Sequence, residues 1–134
     1  VTSINKKAFY CCTNLATIIT NSYLSNFLTV FSSANPVGLA VTFNYSNIIP
    51  DSACINKTNL ATVTIGSNIT SIGISAFELC TSLTSITIPS SVTSIGDYAF
   101  TGCNSLTTIV INSFLISSPF LTNEALESNL VLTC

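Results

Sequence analysis

Hydrophobic and polar positions in this chain alternate in short bursts that return at a fixed interval. Leu83, Ile86 and Ile88 are answered by Leu106, Ile109 and Ile111, and Leu15, Ile18 and Thr20 hold the same places early in the chain. Each burst has period two and is rich in β-branched residues, which predicts a short strand with one buried face. An Ala-Phe pair precedes each burst, at Ala8-Phe9, Ala76-Phe77 and Ala99-Phe100, in a stretch without alternation. That stretch predicts a single helical turn driving the ring inward, and Gly73 and Gly96 predict turns with positive φ.

Written out, residues 69–90 read ITSIGISAFELCTSLTSITIPS and residues 92–113 read VTSIGDYAFTGCNSLTTIVINS, an offset of 23. Residues 1–22, VTSINKKAFYCCTNLATIITNS, fit the same template. The space between holds two degenerate units: one keeps Ala53-Cys54, Leu60, Val63 and Ile65, the other only Leu24, Phe27, Phe31, Val41 and Phe43. The 134 residues therefore divide into units near 1–23, 24–45, 46–68, 69–91, 92–114 and 115–134 of one domain. A unit this small cannot bury its own apolar face, so the units stack as coils of a solenoid with parallel strands.

The pattern S-I-G-x-x-A-F-x-x-C-x-x-L-x-x-I-x-I resembles the BspA-like leucine-rich repeat family, closely over 1–20 and 69–112 and partially over 46–66. The resemblance implies an α/β solenoid, a right-handed leucine-rich-repeat coil of about five turns plus a divergent terminal one. It also implies a non-enzymatic interaction module at a cell surface or outside the cell, active in adhesion and in host or matrix binding. Binding residues in that family are not fixed by motif, so none carries over.

Composition narrows the function. Only 6% of residues are charged, there is no arginine and the net charge is −2, which leaves no phosphate-neutralising footprint for nucleic acid. Without histidine, and with only five carboxylates, the usual general bases, triads and mixed His/Cys zinc sites are mostly unavailable. We expect no enzyme, no metal and no cofactor. Glu78, Asp97, Glu124 and Glu127 specify no carboxylate pair, and they and Lys6 and Lys7 read as solvated surface charges. No apolar run reaches the roughly 18 residues of a membrane span. Water is met instead by 20 Ser, 19 Thr and 14 Asn.

Cys12, Cys80 and Cys103 share one template position, and Cys54 takes the place of Phe77 and Phe100. Two readings stand together: a ladder of reduced core thiols, or a Cys80–Cys103 disulfide between stacked coils. Cys11 and Cys134 fall outside the ladder and could pair between subunits. Three N-glycosylation sequons begin at Asn44, Asn56 and Asn68, all between strands, where a glycan could project without disturbing the core. On the outer strand face the alternation puts Thr17/Ile19, Thr62/Thr64, Ser85/Thr87 and Thr108/Val110. This face, taken as concave, is where a protein or glycan would bind. A flat Thr-x-Thr array can also resemble an ice-binding surface, but two of the four rows lose a hydroxyl and the second unit breaks the column.

Val1 enters the repeat in register, so the chain reads as a processed or truncated piece of a longer precursor. The tail from Leu115 stays apolar, and its ALESNLVL segment reads as a short helix or shortened coil. With no clear polar cap at the start, we expect either removed flanking repeats or a neighbouring subunit stacked head to tail, a contact that does not close and generates fibres. The expected role is an extracellular structural or adhesive repeat protein, glycosylated and self-associating. The alternative is a recognition domain using its strand face.

Overall fold

A computed structural model describes residues 17–20, 38–44, 46–112 and 131–133. It contains nine strands: β1 (Thr17–Thr20), β2 (Leu39–Phe43), β3 (Ile48–Ile49), β4 (Leu60–Ile65), β5 (Ser71–Ile72), β6 (Ser85–Ile88), β7 (Ser94–Ile95), β8 (Thr108–Ile111) and β9 (Val131–Thr133). Six form one sheet in the order β1-β2-β4-β6-β8-β9, and three form a second in the order β3-β5-β7. All pairings are parallel, as stacked coils require.

The period-two pattern decides which side of each strand is buried. Leu60, Val63 and Ile65 of β4 point inward while Thr62 and Thr64 face out, and β6 repeats this with Ile86 and Ile88 against Ser85 and Thr87. Register stacks like on like, with Val63 opposite Ile86 and Ile86 opposite Ile109. The degenerate second unit obeys the same rule: Leu39, Val41 and Phe43 are buried in β2, and the register slips only between Leu39 and Ala40. The short sheet buries Ile49, Ile72 and Ile95 on the opposite side of the core.

The third leg of each coil differs from the expectation. Residues 51–56, 74–79 and 97–102 form tight turns, and no helix occurs among the described residues. The cause is local: Ser52, Ser75 and Tyr98 at one end, and Asn56, Leu79 and Gly102 at the other, all hold positive φ. A right-handed helix cannot pass through such residues. Within the leg, Ile55, Glu78 and Thr101 donate to the carbonyls of Ser52, Ser75 and Tyr98. The intervening amides of Ser52, Cys54 and Asn56 donate upward to Ile74, Ala76 and Glu78, and those of Ser75, Phe77 and Leu79 to Asp97, Ala99 and Thr101. The leg is stitched between coils like a sheet, which satisfies its backbone without helix or strand.

Inside, the predicted rings stack. Phe77 lies 5.4 Å from Phe100 with planes 12° apart, and meets Phe43 edge-on at 6.0 Å. Gly73 and Gly96 correct another expectation, because neither has positive φ; Gly38 and Gly102 are the glycines that do. A Cβ on Gly73 would stand 2.5 Å from the Asp51 nitrogen, and one on Gly96 2.5 Å from the Ile74 nitrogen. Glycine is needed there because successive coils bring their backbones into contact, not because of torsion.

Threonine hydroxyls add a side-chain seam. Thr70 Oγ1 donates to the Asn47 carbonyl at 2.9 Å, and Thr93 Oγ1 to the Thr70 carbonyl at 3.1 Å, each pair 23 residues apart. Thr107 Oγ1 does the same to Thr84, and Ser82 Oγ reaches the Thr58 carbonyl. A few Ser and Thr side chains therefore link coil to coil rather than only coil to water.

Candidate functional site

The long sheet turns its outward side chains into two columns. Thr17, Ala40, Thr62, Ser85 and Thr108 face one another in one; in the other Ile19, Thr42 and Thr64 are partners, as are Thr87 and Val110, with Thr64 and Thr87 each two residues on from the paired Thr62 and Ser85. Thr17, Ile19, Thr62, Thr64, Ser85 and Thr87 are exposed, and Ala40, Thr42, Thr108 and Val110 are half-buried. Ala40 and Thr42 of β2 carry both columns through the second unit, where Ala40 interrupts the hydroxyls of the first as expected. Hydroxyls are still replaced at Ile19, Ala40 and Val110, so the array is not the continuous Thr-x-Thr ladder an ice surface would match.

The face carries no charge. Among the described residues, Asp51, Glu78 and Asp97 sit on the turn legs and Lys57 directly follows one. Strand alternation sorts only small β-branched and hydroxyl side chains outward, and these make a flat surface of methyls and hydroxyls. No charged or polar residue is buried among those described, and no three potential metal ligands cluster.

Asn44, Asn56 and Asn68 are all exposed. Asn56 holds a φ of 59° at the end of its turn leg, a conformation asparagine tolerates better than most side chains. Asn68 Nδ2 donates to the Ser46 carbonyl at 3.0 Å.

Behind the sheet lie the described cysteines, of which Cys80 and Cys103 belong to the ladder. Cys54, Cys80 and Cys103 are buried free thiols. Cys80 Sγ donates to the Cys54 carbonyl at 3.1 Å, and Cys103 Sγ to the Phe77 carbonyl at 3.0 Å. The neighbouring Cys103 thiol raises Cys80 well above the ordinary thiol range, and Cys80 in turn shifts the Cys103 thiol below it. Burial pushes Cys54 up to about 12. At the rung below Cys80 the template position holds Lys57, whose ammonium burial shifts down. Cys11, Cys12 and Cys134 lie outside the described residues.

The sequence predicts one strand in each unit and misses the second sheet, β3-β5-β7, in which Ile48 pairs with Ser71 and Ile49 with Ile72 although Asn47 and Pro50 stand where the other units carry T-S-I-G.

Comparison with solved structures gives a leucine-rich repeat protein from Bacteroides ovatus, with a TM-score of 0.58 and 24% identity over 98% of this chain. The likeness speaks for the fold, and this chain spans 39% of that protein's length. No curated protein matches the sequence. No helix among the described residues is long and apolar enough to cross a membrane. The BspA type leucine-rich repeat region is matched in six copies over residues 1–35 and 42–128, and the chain belongs to that family.

Proposed function

We propose that the chain is a non-enzymatic interaction module, working at a cell surface or outside the cell, that binds a partner protein through the outer face of its long sheet. The observation that carries this reading is the pair of in-register, uncharged columns centred on Thr62/Thr64 and Ser85/Thr87. Rigid coils hold these side chains at fixed spacing, so binding orders little that was free beforehand. The three exposed sequons fit a glycosylated protein of that compartment.

The test places charge on the face without touching the core. Thr64→Lys and Thr87→Lys, singly and together, are compared with the parent chain for binding to immobilised extracellular-matrix proteins and glycans. At least a tenfold loss in the double variant, with the unfolding midpoint unchanged, is the expected result. Equal binding by all four proteins would move the site elsewhere, and binding to glycans alone would change the partner class.

A second reading, head-to-tail filaments, is favoured by the stacking itself. Neighbouring coils are joined mostly by backbone ladders and by threonine hydroxyls on backbone carbonyls, and such contacts ask little of the identity of the next coil. Electron microscopy, with intact mass before and after glycosidase, separates the readings: fibres of excess mass favour the glycosylated polymer, monodisperse particles the receptor-like module.

A further inference from the structure

Of the three described thiols, two share a template position and a third does not. Cys80 and Cys103 stand on successive coils, whereas the counterpart of Cys54 in the next coil is Phe77 and the counterpart of Cys80 in the coil before is Lys57. The ladder thus contains one adjacent thiol pair among the described residues.

Its geometry suits a bond. Backbones of neighbouring parallel strands run about 4.8 Å apart, inside the roughly 4.4–6.8 Å that disulfides span between Cα atoms. The coils keep this register at the corner in question, since Phe77 and Leu79 donate to Ala99 and Thr101 at 2.8 Å and the Phe77 and Phe100 rings stack at 5.4 Å. The contacts given up on bonding are the S–H donations to the Cys54 and Phe77 carbonyls.

We propose that Cys80 and Cys103 are a redox pair in which Cys103 attacks a disulfide oxidant and Cys80 resolves the mixed disulfide, leaving an inter-coil bond and Cys54 free. Cys103 is the more exposed, at 8% against 0% for Cys80. Its thiol is also shifted below the ordinary range beside Cys80, and the thiolate is the attacking form. With a small disulfide R–S–S–R, the Cys103 thiolate forms Cys103–S–S–R and releases one RS⁻. Cys80 then attacks Cys103 Sγ as its proton passes to the departing sulfur, and the second R–SH leaves. Two protein S–H groups and one R–S–S–R become one protein disulfide and two R–SH, with two electrons passing to the oxidant.

The full chain is equilibrated in oxidised glutathione, quenched in acid, alkylated in denaturant and mapped by peptide mass. The expected map shows Cys80 linked to Cys103 and Cys54 alkylated, with a higher urea midpoint than the reduced protein. In the same buffer C80A accumulates glutathione on Cys103, while Cys80 in C103A is modified at least tenfold less. Alkylation of both thiols in native wild type overturns the pair, as does linkage that forms no better in native than in urea-unfolded chain. Equal modification of Cys80 in C103A overturns the assigned order. The native against unfolded comparison uses wild type alone, so a variant that fails to fold does not protect the proposal.

Discussion

The Leu79 Cδ2 atom stands 2.5 Å from where a Cβ on Gly102 would lie, so one leucine methyl fills the space the glycine leaves empty. Both residues occupy the same place in successive coils, and both hold positive φ, 59° and 73°. Leu79 bears the torsional cost of a left-handed residue, and Gly102 avoids it.

Gly102→Ala is therefore expected to destabilise by about 1 kcal/mol, most of it torsional. The obstructing atom is the tip of a flexible side chain that can turn away. Urea unfolding of the variant beside wild type reads this directly. A loss above about 3 kcal/mol, in the range of overpacked cores, would mean that the leucine cannot move.

Gly96→Ala should cost more, although Gly96 has an ordinary φ. Its Cβ would meet the Ile74 nitrogen at 2.5 Å and the Gly73 carbon at 2.7 Å, and backbone atoms move only if the coils separate. A loss of about 3 kcal/mol is expected, at the upper end for overpacking. If Gly102→Ala proves the more damaging of the two, close packing is not what selects glycine at this corner.

These glycines mark the limit of what the sequence discloses. The strands of the fourth and fifth units, the inward rings and the shared cysteine position are legible because each depends on side chains that repeat. Gly73 and Gly96 are visible as conserved-spacing glycines within the repeat, but one letter covers two physical reasons, and torsion is not the one that applies. The turn leg is hidden for a related reason: its left-handed positions are filled by Ser52, Asn56, Ser75, Leu79, Tyr98 and Gly102, which share no chemistry. Coil stacking through backbone amides leaves little sequence trace either, so β3 forms at Ile48–Ile49 without the S-I-G signature. On the outer face Thr62, Thr64, Ser85 and Thr87 follow from alternation alone. The continuity through Ala40 and Thr42 does not, because it requires the register that only stacking sets.

Phe77 should carry the largest single share of core stability among the described residues. It is completely buried between Phe43 and Phe100, and truncation to alanine removes a ring that rigid coils cannot collapse to replace. Phe77→Ala is expected to cost about 3–5 kcal/mol, and Thr87→Ala, on the outer face, within about 0.5 kcal/mol. Comparable losses for the two would contradict the inward and outward assignment.

Stability should also fall in mild alkali through Cys54. Burial raises its thiol from 9.0 to about 12 in the folded protein. The folded state therefore keeps a proton that the unfolded chain gives up above 9, and the contribution is complete below 9 and lost progressively as pH climbs toward 12. At about 1.36 kcal/mol per unit, the loss by pH 11 is roughly 2–3 kcal/mol. Lys57 acts in the opposite sense. Its pKa is lowered by burial, so the folded state binds fewer protons just below 10.5 and gains stability as pH rises there. Comparing wild type with C54A removes the thiol together with its electrostatic effect on Lys57. Unfolding free energies measured by urea between pH 8 and pH 11 should converge toward the C54A curve, offset by its cavity, as pH increases. Parallel curves would show that the Cys54 proton is not held by the core.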